Sequence, residues 1–589
     1  MTIKFSTALL LSLSVLASSS WAKAKINNNQ PPLSLSVAQL EQWSPESSLA
    51  DNRHIANIPL QPRVVAKLGN RAESLDNQVK VLIAPDGMNN LANYLGEQPQ
   101  FNLYNFTHWS HIDVLNWFAG TANETVSLPS KPWVEVAHKN GVKVIGTVYL
   151  AVAQYGGNIE TVERMVQQDA QGRFPLAHQL VAIASYYGFD GWLINPETDL
   201  TRIKDESGKL IEGQFQSQRA AKVAKQVQAF MVYLTELAPD EMEIHWYDAM
   251  LLDGTVRWQN QLNQRNADFF QLAQGDNRRV SDAMFLNYWW NGEMVEQSHH
   301  FAKQLGRSPY ELYFGADLSP MRNAQRIYER RQWLDALFTN NGTQGLSSIA
   351  LFANDVNFTF TGNEKRAAFS QFKSDADDVR RFHDSEVRMF AGDDLNMYTD
   401  DLAQHWPGIA RYVPAKAPVF SLPFTTSFNT GHGRVKANQG KVVGREWHDV
   451  SQQDILPTWQ FAVKGEPDTQ VFYDFDHVYH GGNSLAIHAP AEGKGNYIPL
   501  YHTALALHEG AELEITFMHQ DAGQHIALTL ETIDGEMISQ PLTGDVGVWH
   551  TQKFALSDHA ESTVSRISLS VAAGGTDPIK THIGWMEIR

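Results

Sequence analysis

The sequence predicts an α/β chain of two units, a (β/α)8 TIM barrel over residues 76–415 and a C-terminal antiparallel β-sandwich over residues 416–589. Three observations carry this. Runs of strand-forming residues recur from residue 78 onward, and helical patterns fill the gaps between them. Most of these runs are apolar on both sides, the character of parallel strands covered on both faces; a half-exposed antiparallel strand alternates instead. After residue 415 the long helical patterns disappear, and alternation broken by turns replaces them. A chain of 589 residues also exceeds what one ordinary core holds.

In chain order, residues 1–22 read as a signal peptide. Lys4 supplies the positive flank, 5–17 is an apolar run broken only by small hydroxyl residues, and Ser20-Trp21-Ala22 offers a small-x-small cleavage site. The run is shorter than the roughly 20 residues a membrane span needs, so cleavage and export are expected, to the periplasm or outside the cell, with no membrane insertion of the mature chain. Residues 23–75 form an N-terminal leader segment, rich in Asn and Ser and without sustained periodicity.

The barrel strands are expected at 79–84, 104–106 leading into 112–118, 142–150, 191–194, 243–246, 283–288, 311–314 and 348–352. Between them, Val223, Val227, Phe230, Met231, Leu234 and Leu237 fall at helical spacing until Pro239 stops the run. The stretches 162–165 and 176–186 read as helix too, the second ending at Gly188. Eight strands with helical connections fit a closed barrel or an open doubly wound sheet. No Gly-rich phosphate loop follows the first strand, which disfavours a nucleotide-binding sheet. Pro414, Pro418 and Pro423 mark the transition to the sandwich, with strands expected at 471–475, 484–488, 512–518, 526–532 and 567–571.

Composition narrows the partners. With 65 acidic and 47 basic residues the formal charge is −18, and no Lys/Arg cluster reverses it locally, so nucleic acid is excluded as the natural partner. The chain has no Cys, which removes disulfides, thiolate catalysis, thiolate metal sites and a Cys-linked lipid anchor. No His/Asp/Glu group has metal-site spacing, and neither metal nor cofactor is expected.

The informative stretch is GFDGWLINPE, residues 188–197. On an extended strand Asn195 and Glu197 point the same way, roughly 6–7 Å apart. At the carboxyl end of a barrel strand that face opens into the catalytic mouth. Pro196 cannot donate to a ladder, which suits a strand end. Most glycosidases need two carboxylates; substrate-assisted ones need one proton donor and a group that orients the sugar's 2-acetamide, because the acetamide oxygen attacks the anomeric carbon. A Glu with an amide two residues before it meets both needs. As a bare tripeptide, Asn-x-Glu is common.

GFDGWLINPE resembles the signature strand of the endo-β-N-acetylglucosaminidases of glycoside hydrolase family 85. PWVEVAHKNGVKVIGTVYL (132–150) resembles the family's third strand with its preceding helix, and NFTHWSHIDVLNWFAG (105–120) its second. HWYDAMLLDGTVRWQNQLN (245–263) and FLNYWW (285–290) resemble the fifth and sixth strands with their loops. TTSFNTGHG (425–433) and LPTW (456–459) match segments after the barrel, so the likeness runs over residues 78–461. The resemblance implies cleavage between the two N-acetylglucosamines of the N-glycan core, through an oxazoline intermediate and with transglycosylation ability. N-linked glycans or glycoproteins are the implied substrates. It implies that Glu197 is the general acid/base, Asn195 the acetamide-orienting amide and Tyr247 a second hydrogen-bonding group to the acetamide. Trp258 and one of Trp289 and Trp290 are implied on the acceptor side, and Asp248 is grouped with these substrate-binding residues as one that orients them. Adjacent strand residues face opposite ways, so only one of the two tryptophans reaches the mouth.

Some features depart from that family. Pro196 stands where a bulkier apolar residue is usual, the eighth strand SSIALFANDVNF lacks the Pro and aromatic that usually follow Phe-Ala, and the polar loop 201–214 is long. These put glycan preference in doubt, not chemistry. In the sandwich, DHVYHGGNSLAI (476–487) resembles the turn of galactose-binding-like jelly rolls, which implies either sugar binding or a brace for the barrel. Two other readings stay open: a chitinase-like glycosidase using Glu197 with a different second carboxylate, and a non-catalytic glycan-binding protein. Chitinases of that kind carry Asp two residues before the Glu, where this chain has Asn195.

Overall fold

The structure, a computed structural model, describes residues 33–589 except 273–276, 320–331, 360–378, 400–405, 466–467, 492, 494, 524 and 573–576. Eight parallel strands form a ring: β1 (Val81–Ala84), β2 (Val114–Asn116), β3 (Lys143–Leu150), β4 (Gly191–Pro196), β5 (Glu243–Tyr247), β6 (Ala283–Leu286), β7 (Leu312–Asp317) and β8 (Ser348–Phe352). Each pairs with the next, and β8 returns to β1 with Ile349 opposite Val81. The ring is closed, so the open-sheet alternative falls.

Alternation along the strands divides their side chains. Leu82, Val114, Ile145, Leu193, Phe285 and Tyr313 fill the barrel interior, while Val81, Leu115, Val144, Trp192, Trp246 and Phe314 face the surrounding shell. Both faces are dry, which is why the strands read as unbroken apolar runs. Gly191 opens β4 because a Cβ there would meet the Glu243 backbone oxygen at 2.0 Å. The expected helices are present as Ile159–Met165, Pro175–Tyr187 and Ser217–Leu237. Residues 104–106 form no strand. Tyr104 stacks on Trp133 with ring centres 5.3 Å apart, and the Asn105 side chain donates to the Thr430 backbone oxygen at 2.9 Å. Their apolar character serves packing between elements rather than a ladder. The polar stretch 201–214 folds largely into a hairpin of Arg202–Lys204 and Leu210–Phe215.

From residue 33 the segment expected as a leader is folded onto the barrel. Ser34–Leu35 pairs with Val126–Ser127 at the edge of β3, and helix Val37–Gln42 begins with a capping box between Ser36 and Gln39. Arg63–Ala66 pairs antiparallel with Ala415–Pro418. Behind this ribbon Asp113 accepts from Arg63 at 2.6 Å and Lys416 at 2.5 Å, and its Oδ2 accepts the Val81 amide at 2.9 Å. Burial raises the affinity of the Asp113 carboxyl for protons, but the two cations outweigh it and hold the pKa below the ordinary value.

The C-terminal sandwich has two antiparallel sheets. Its strands are β9 (Gln470–Asp474), β10 (Ser484–Ala489), β11 (Asn496–Ala506), β12 (Glu512–His519), β13 (Ile526–Thr532), β14 (Met537–Pro541), β15 (His550–Ala555), β16 (Thr563–Val571) and β17 (Ile579–Ile588). One sheet runs β9-β10-β17-β12-β15, with Phe424–Thr426 also on β17; the other is built on β11-β16-β13-β14. Between barrel and sandwich, a connector of short two-stranded pieces leans on both. Among the described residues no helix is long and apolar enough to cross a membrane.

Candidate active site

The carboxyl ends of the barrel strands surround a cavity of about 540 Å³. Asn195 comes from β4 and Tyr247 from β5, while Glu197, Trp258, Asn287 and Trp289 stand on the segments that leave the strands. Phe118, Tyr149, Leu193, Phe285, Tyr288 and Phe352 give the cavity an aromatic and apolar floor and wall.

Asn195 and Glu197 do share a face. The buried Asn195 amide donates to Glu197 Oε2 at 2.9 Å. The backbone fixes this geometry: β4 stays paired with β3 as far as Pro196, and the Glu197 amide then donates to the Leu150 oxygen at 3.0 Å. Pro196 has no N–H to leave unpaired there.

A polar chain runs from Tyr247 across the cavity wall. The Tyr247 hydroxyl donates to Asn287 Oδ1 at 2.8 Å, and Asn287 Nδ2 donates to Asn260 Oδ1 at 2.8 Å. Asn260 Oδ1 also accepts the Trp289 backbone N–H at 3.0 Å. Asn260 sits at φ +60°, a left-handed conformation that Asn tolerates better than most residues. Burial, and then the neighbouring Tyr288, Glu197 and Asp248, push the Tyr247 phenol well above its ordinary pKa, so it keeps its proton.

Asp248 is fully buried and lies outside the cavity lining. This corrects its expected place among the substrate-binding residues. Its Oδ2 accepts the Gln259 and Asn260 amides at 2.9 and 2.7 Å, and its Oδ1 accepts Asn266 Nδ2 at 3.0 Å. Asp248 holds the loop that carries Trp258 and Asn260. Burial pushes its pKa up to about 6, with those three donors and the Asn287 backbone amide pulling the other way. Replacing Asp248 by Ala should leave the buried Asn266 amide and the half-buried Gln259 and Asn260 backbone donors short of an acceptor, at about 1–3 kcal/mol for a buried one. The melting temperature should fall by several degrees and the quenching of the loop tryptophans should change; an unaltered melt would refute this role.

Of the adjacent tryptophans, Trp290 is the one that turns away from the mouth. It is buried, its indole N–H donates to the Gly315 oxygen at 2.8 Å, and it packs against Phe314. Trp289 takes the opposite direction and rims the cavity at 63% exposure, with Trp258 at 42%. Asp190 accepts from His138 and the Val144 amide, and His245 contacts Glu243 and the Tyr313 ring, so both are structural. Asn260, Asn287 and Asp86 line the cavity without having been singled out from the sequence. Asn287 lies inside the quoted FLNYWW and Asn260 inside the quoted 245–263 stretch, so the signal was present without a role attached. Asp86 adds a second carboxylate to the lining, on the loop after β1.

A closed eight-stranded barrel with an amide, a carboxyl group and exposed tryptophans at its carboxyl-end mouth is an arrangement suited to holding a saccharide. The chain belongs to glycosyl hydrolase family 85, whose sequence profile matches residues 88–436. It is 25% identical over 448 residues to the cytosolic endo-beta-N-acetylglucosaminidase of Danio rerio, covering 74% of this chain and 52% of that protein. It is 27% identical over 397 residues to the enzyme of the same name from Homo sapiens, covering 65% of this chain and 43% of that one. The chain thus spans about half the length of these curated relatives. The crystal structure of the glycoside hydrolase domain of Endo-D from Streptococcus pneumoniae R6 superposes with a TM-score of 0.77 at 25% identity, covering 94% of this chain and 82% of that one. The relatives overturn one expectation. Export to the periplasm or beyond, read from residues 1–22, stands against relatives named cytosolic, and those residues lie outside the described ones.

Proposed function

We propose that this protein is an endo-β-N-acetylglucosaminidase that cuts the β-1,4 bond between the two N-acetylglucosamines of the N-glycan core with help from the substrate's own acetamide. The observation that carries the reading is the 2.9 Å contact between Asn195 Nδ2 and the Glu197 carboxyl group inside the barrel mouth. In this reading the glycan's reducing-end pair of sugars spans the cavity. Glu197 gives its proton to the glycosidic oxygen while the acetamide oxygen closes on the anomeric carbon, forming an oxazoline. Asn195 and Tyr247 hydrogen-bond the acetamide and hold it against the carbon it attacks, a contribution of about 3–4 kcal/mol for a well-placed group. Water, or a sugar hydroxyl in transglycosylation, then loses its proton to Glu197 as it opens the ring. Trp258 and Trp289 flank the acceptor side, where they govern which nucleophile enters.

The test is a glycoprotein bearing one defined N-glycan, with both products weighed. A single N-acetylglucosamine left on the asparagine is the expected result; an intact glycan, or removal of the whole glycan, overturns the reading. Asn195→Ala should lose hydrolysis by about 10²–10³-fold, as loss of one positioned donor does. Supplying a preformed oxazoline donor with an acceptor should restore part of the transfer. If Asp86 served as the second carboxylate of a two-carboxylate mechanism, no such rescue would occur.

A further inference from the structure

Away from the barrel, the sandwich gathers three metal-ligating side chains. Asp474 ends β9, His477 lies in the turn that follows, and His582 stands on β17. The strands meet through β10, where Ser484 pairs with Asp474 and Ala486 with both Phe472 and His582. By strand alternation Asp474, Ser484 and His582 share one face of the sheet. His477 Nδ1 is 3.4 Å from each Asp474 oxygen, and His582 Nδ1 is 3.9 Å from Asp474 Oδ2. The two imidazole rings are 4.5 Å apart, centre to centre. Among the described residues this is the one trio of His and acidic side chains whose donor atoms lie within 4.8 Å of one another.

The hydrogen bonds within the trio are poor. The 3.9 Å separation exceeds hydrogen-bond range, and the buried His582 Nε2 has no partner at all. Ser484 Oγ, at 3.4 Å from His582 Nδ1, is the ring's other polar neighbour on that side. The carboxylate, by contrast, is firmly oriented. Its Oδ1 accepts the Asp476 and His477 backbone amides at 2.7 and 2.8 Å, which leaves Oδ2 turned toward His582. Gln520 lies 2.7 Å from His477 Nε2. An amide rotated to present its oxygen there accepts Nε2–H and leaves the Nδ1 lone pair free, the outer-shell arrangement usual for a ligating imidazole.

We propose that Asp474 Oδ2, His477 Nδ1 and His582 Nδ1 form a divalent transition-metal site of the zinc type, with a fourth position open to water. Two imidazoles and one carboxylate are the donors zinc takes in sites that keep an open position, at about 2.0–2.2 Å each. Drawing the three donors around such an ion requires movements of under about one ångström from the spacings above. Calcium is disfavoured, because it takes roughly six to eight oxygens and this set offers two nitrogens. The site would clamp a joint. The turn that carries His477 continues to Gly481, which exchanges both backbone hydrogen bonds with Ala437 of the connector, at 2.9 and 3.0 Å. Gly440 of the connector donates to the Tyr479 oxygen at 2.7 Å. Metal bound at the trio therefore ties β17 to the turn, and the turn to the segment that leans on the barrel.

The experiment uses the full chain, stripped with a chelator and titrated with Zn²⁺ by calorimetry, with melting temperature followed in parallel. One equivalent should bind and raise the melting temperature. Co²⁺ in its place should give the visible absorption of a tetrahedral N/O site. His477 lies on a partly exposed turn, so His477→Ala should fold, lose the thermal shift and bind at least about tenfold more weakly. His477→Gln, which keeps the side chain's bulk, should behave the same way and guards against a folding defect. His508→Ala, an exposed histidine outside the trio, should bind as the parent does. No zinc uptake by the parent, or parent-like affinity in both His477 variants, overturns the site. None of these readouts uses glycosidase activity, so they stand or fall apart from the catalytic reading.

Discussion

Glu197→Gln is expected to lower release of an N-glycan by about 10²–10⁴-fold, the range a positioned general acid supplies. The fold should survive the change. Asn195 Nδ2 donates to Glu197 Oε2, and a glutamine keeps an oxygen in that place. The backbone bond from residue 197 to Leu150 does not involve the side chain. Melting temperature should therefore move little while turnover collapses, and mass analysis of the products reads the loss directly. If the variant retained full activity, Glu197 could not be the proton donor and the substrate-assisted scheme would have no acid. The same variant should stay inactive with the oxazoline donor whenever transfer requires deprotonation of the acceptor, which separates it from Asn195→Ala.

The second large effect is on stability. Several histidines are buried as neutral rings: burial pulls His54 and His432 down to about 4 and His111 to about 3, and holds His383 and His448 well below the ordinary value. Three of them adjoin, with His383 Nε2 3.2 Å from His432 Nε2, and the His432 and His448 rings 5.5 Å apart. The sign follows from which state takes up protons. Below about pH 6.5 the unfolded chain protonates these imidazoles and the folded chain refuses, so their stabilisation is whole above that value and is lost on acidification toward pH 4. A ring moved from 6.5 to about 4 costs on the order of 2 kcal/mol by pH 5. Asp248 opposes this, since its raised value lets the folded chain gain a proton between pH 3.8 and about 6, and the raised Asp268, Asp282, Asp384 and His138 act in the same sense, but the five rings carry the larger shifts. The expected observation is a melting temperature lower by more than about ten degrees at pH 5 than at pH 7.5, with the connector and its neighbours losing hydrogen-exchange protection early. Equal melts at the two pH values would contradict the neutral burial of these rings.

How far the molecule could be read from its residues depended on whether the signal was local. Parallel strands dry on both faces announce themselves as apolar runs, and Val144, Leu193 or Ile349 needed no neighbours to be recognised. Tyr104 and Phe106 carry the same signal without forming a strand, because aromatic packing against Trp133 and Trp109 looks alike in sequence. In the sandwich β11, β14, β15 and β17 were not singled out, and along β11 Pro499 and the shifts in register break the alternation. At the site, Asn195, Glu197, Tyr247, Trp258 and Trp289 line the cavity, and three motif-bearing stretches carry them. Parity alone could not choose between Trp289 and Trp290, since the answer lies in what surrounds Gly315 and Phe314. Asn260 takes part through a left-handed backbone and an amide that ties its own loop to the loop carrying Asn287 and Trp289, a role set by tertiary geometry. The Asp474, His477 and His582 trio was invisible for the same reason: sheet pairing, not chain spacing, assembles it.

The ribbon of Arg63–Ala66 and Ala415–Pro418 sets the limits of any excised catalytic piece. An expression product starting at residue 76 would keep Lys416 but remove Arg63, leaving the Asp113 carboxylate with half its cationic escort beneath the ring. The smallest self-sufficient fragment therefore starts upstream of Arg63 and runs past Pro418, wider at both ends than the eight strands whose chemistry it would carry.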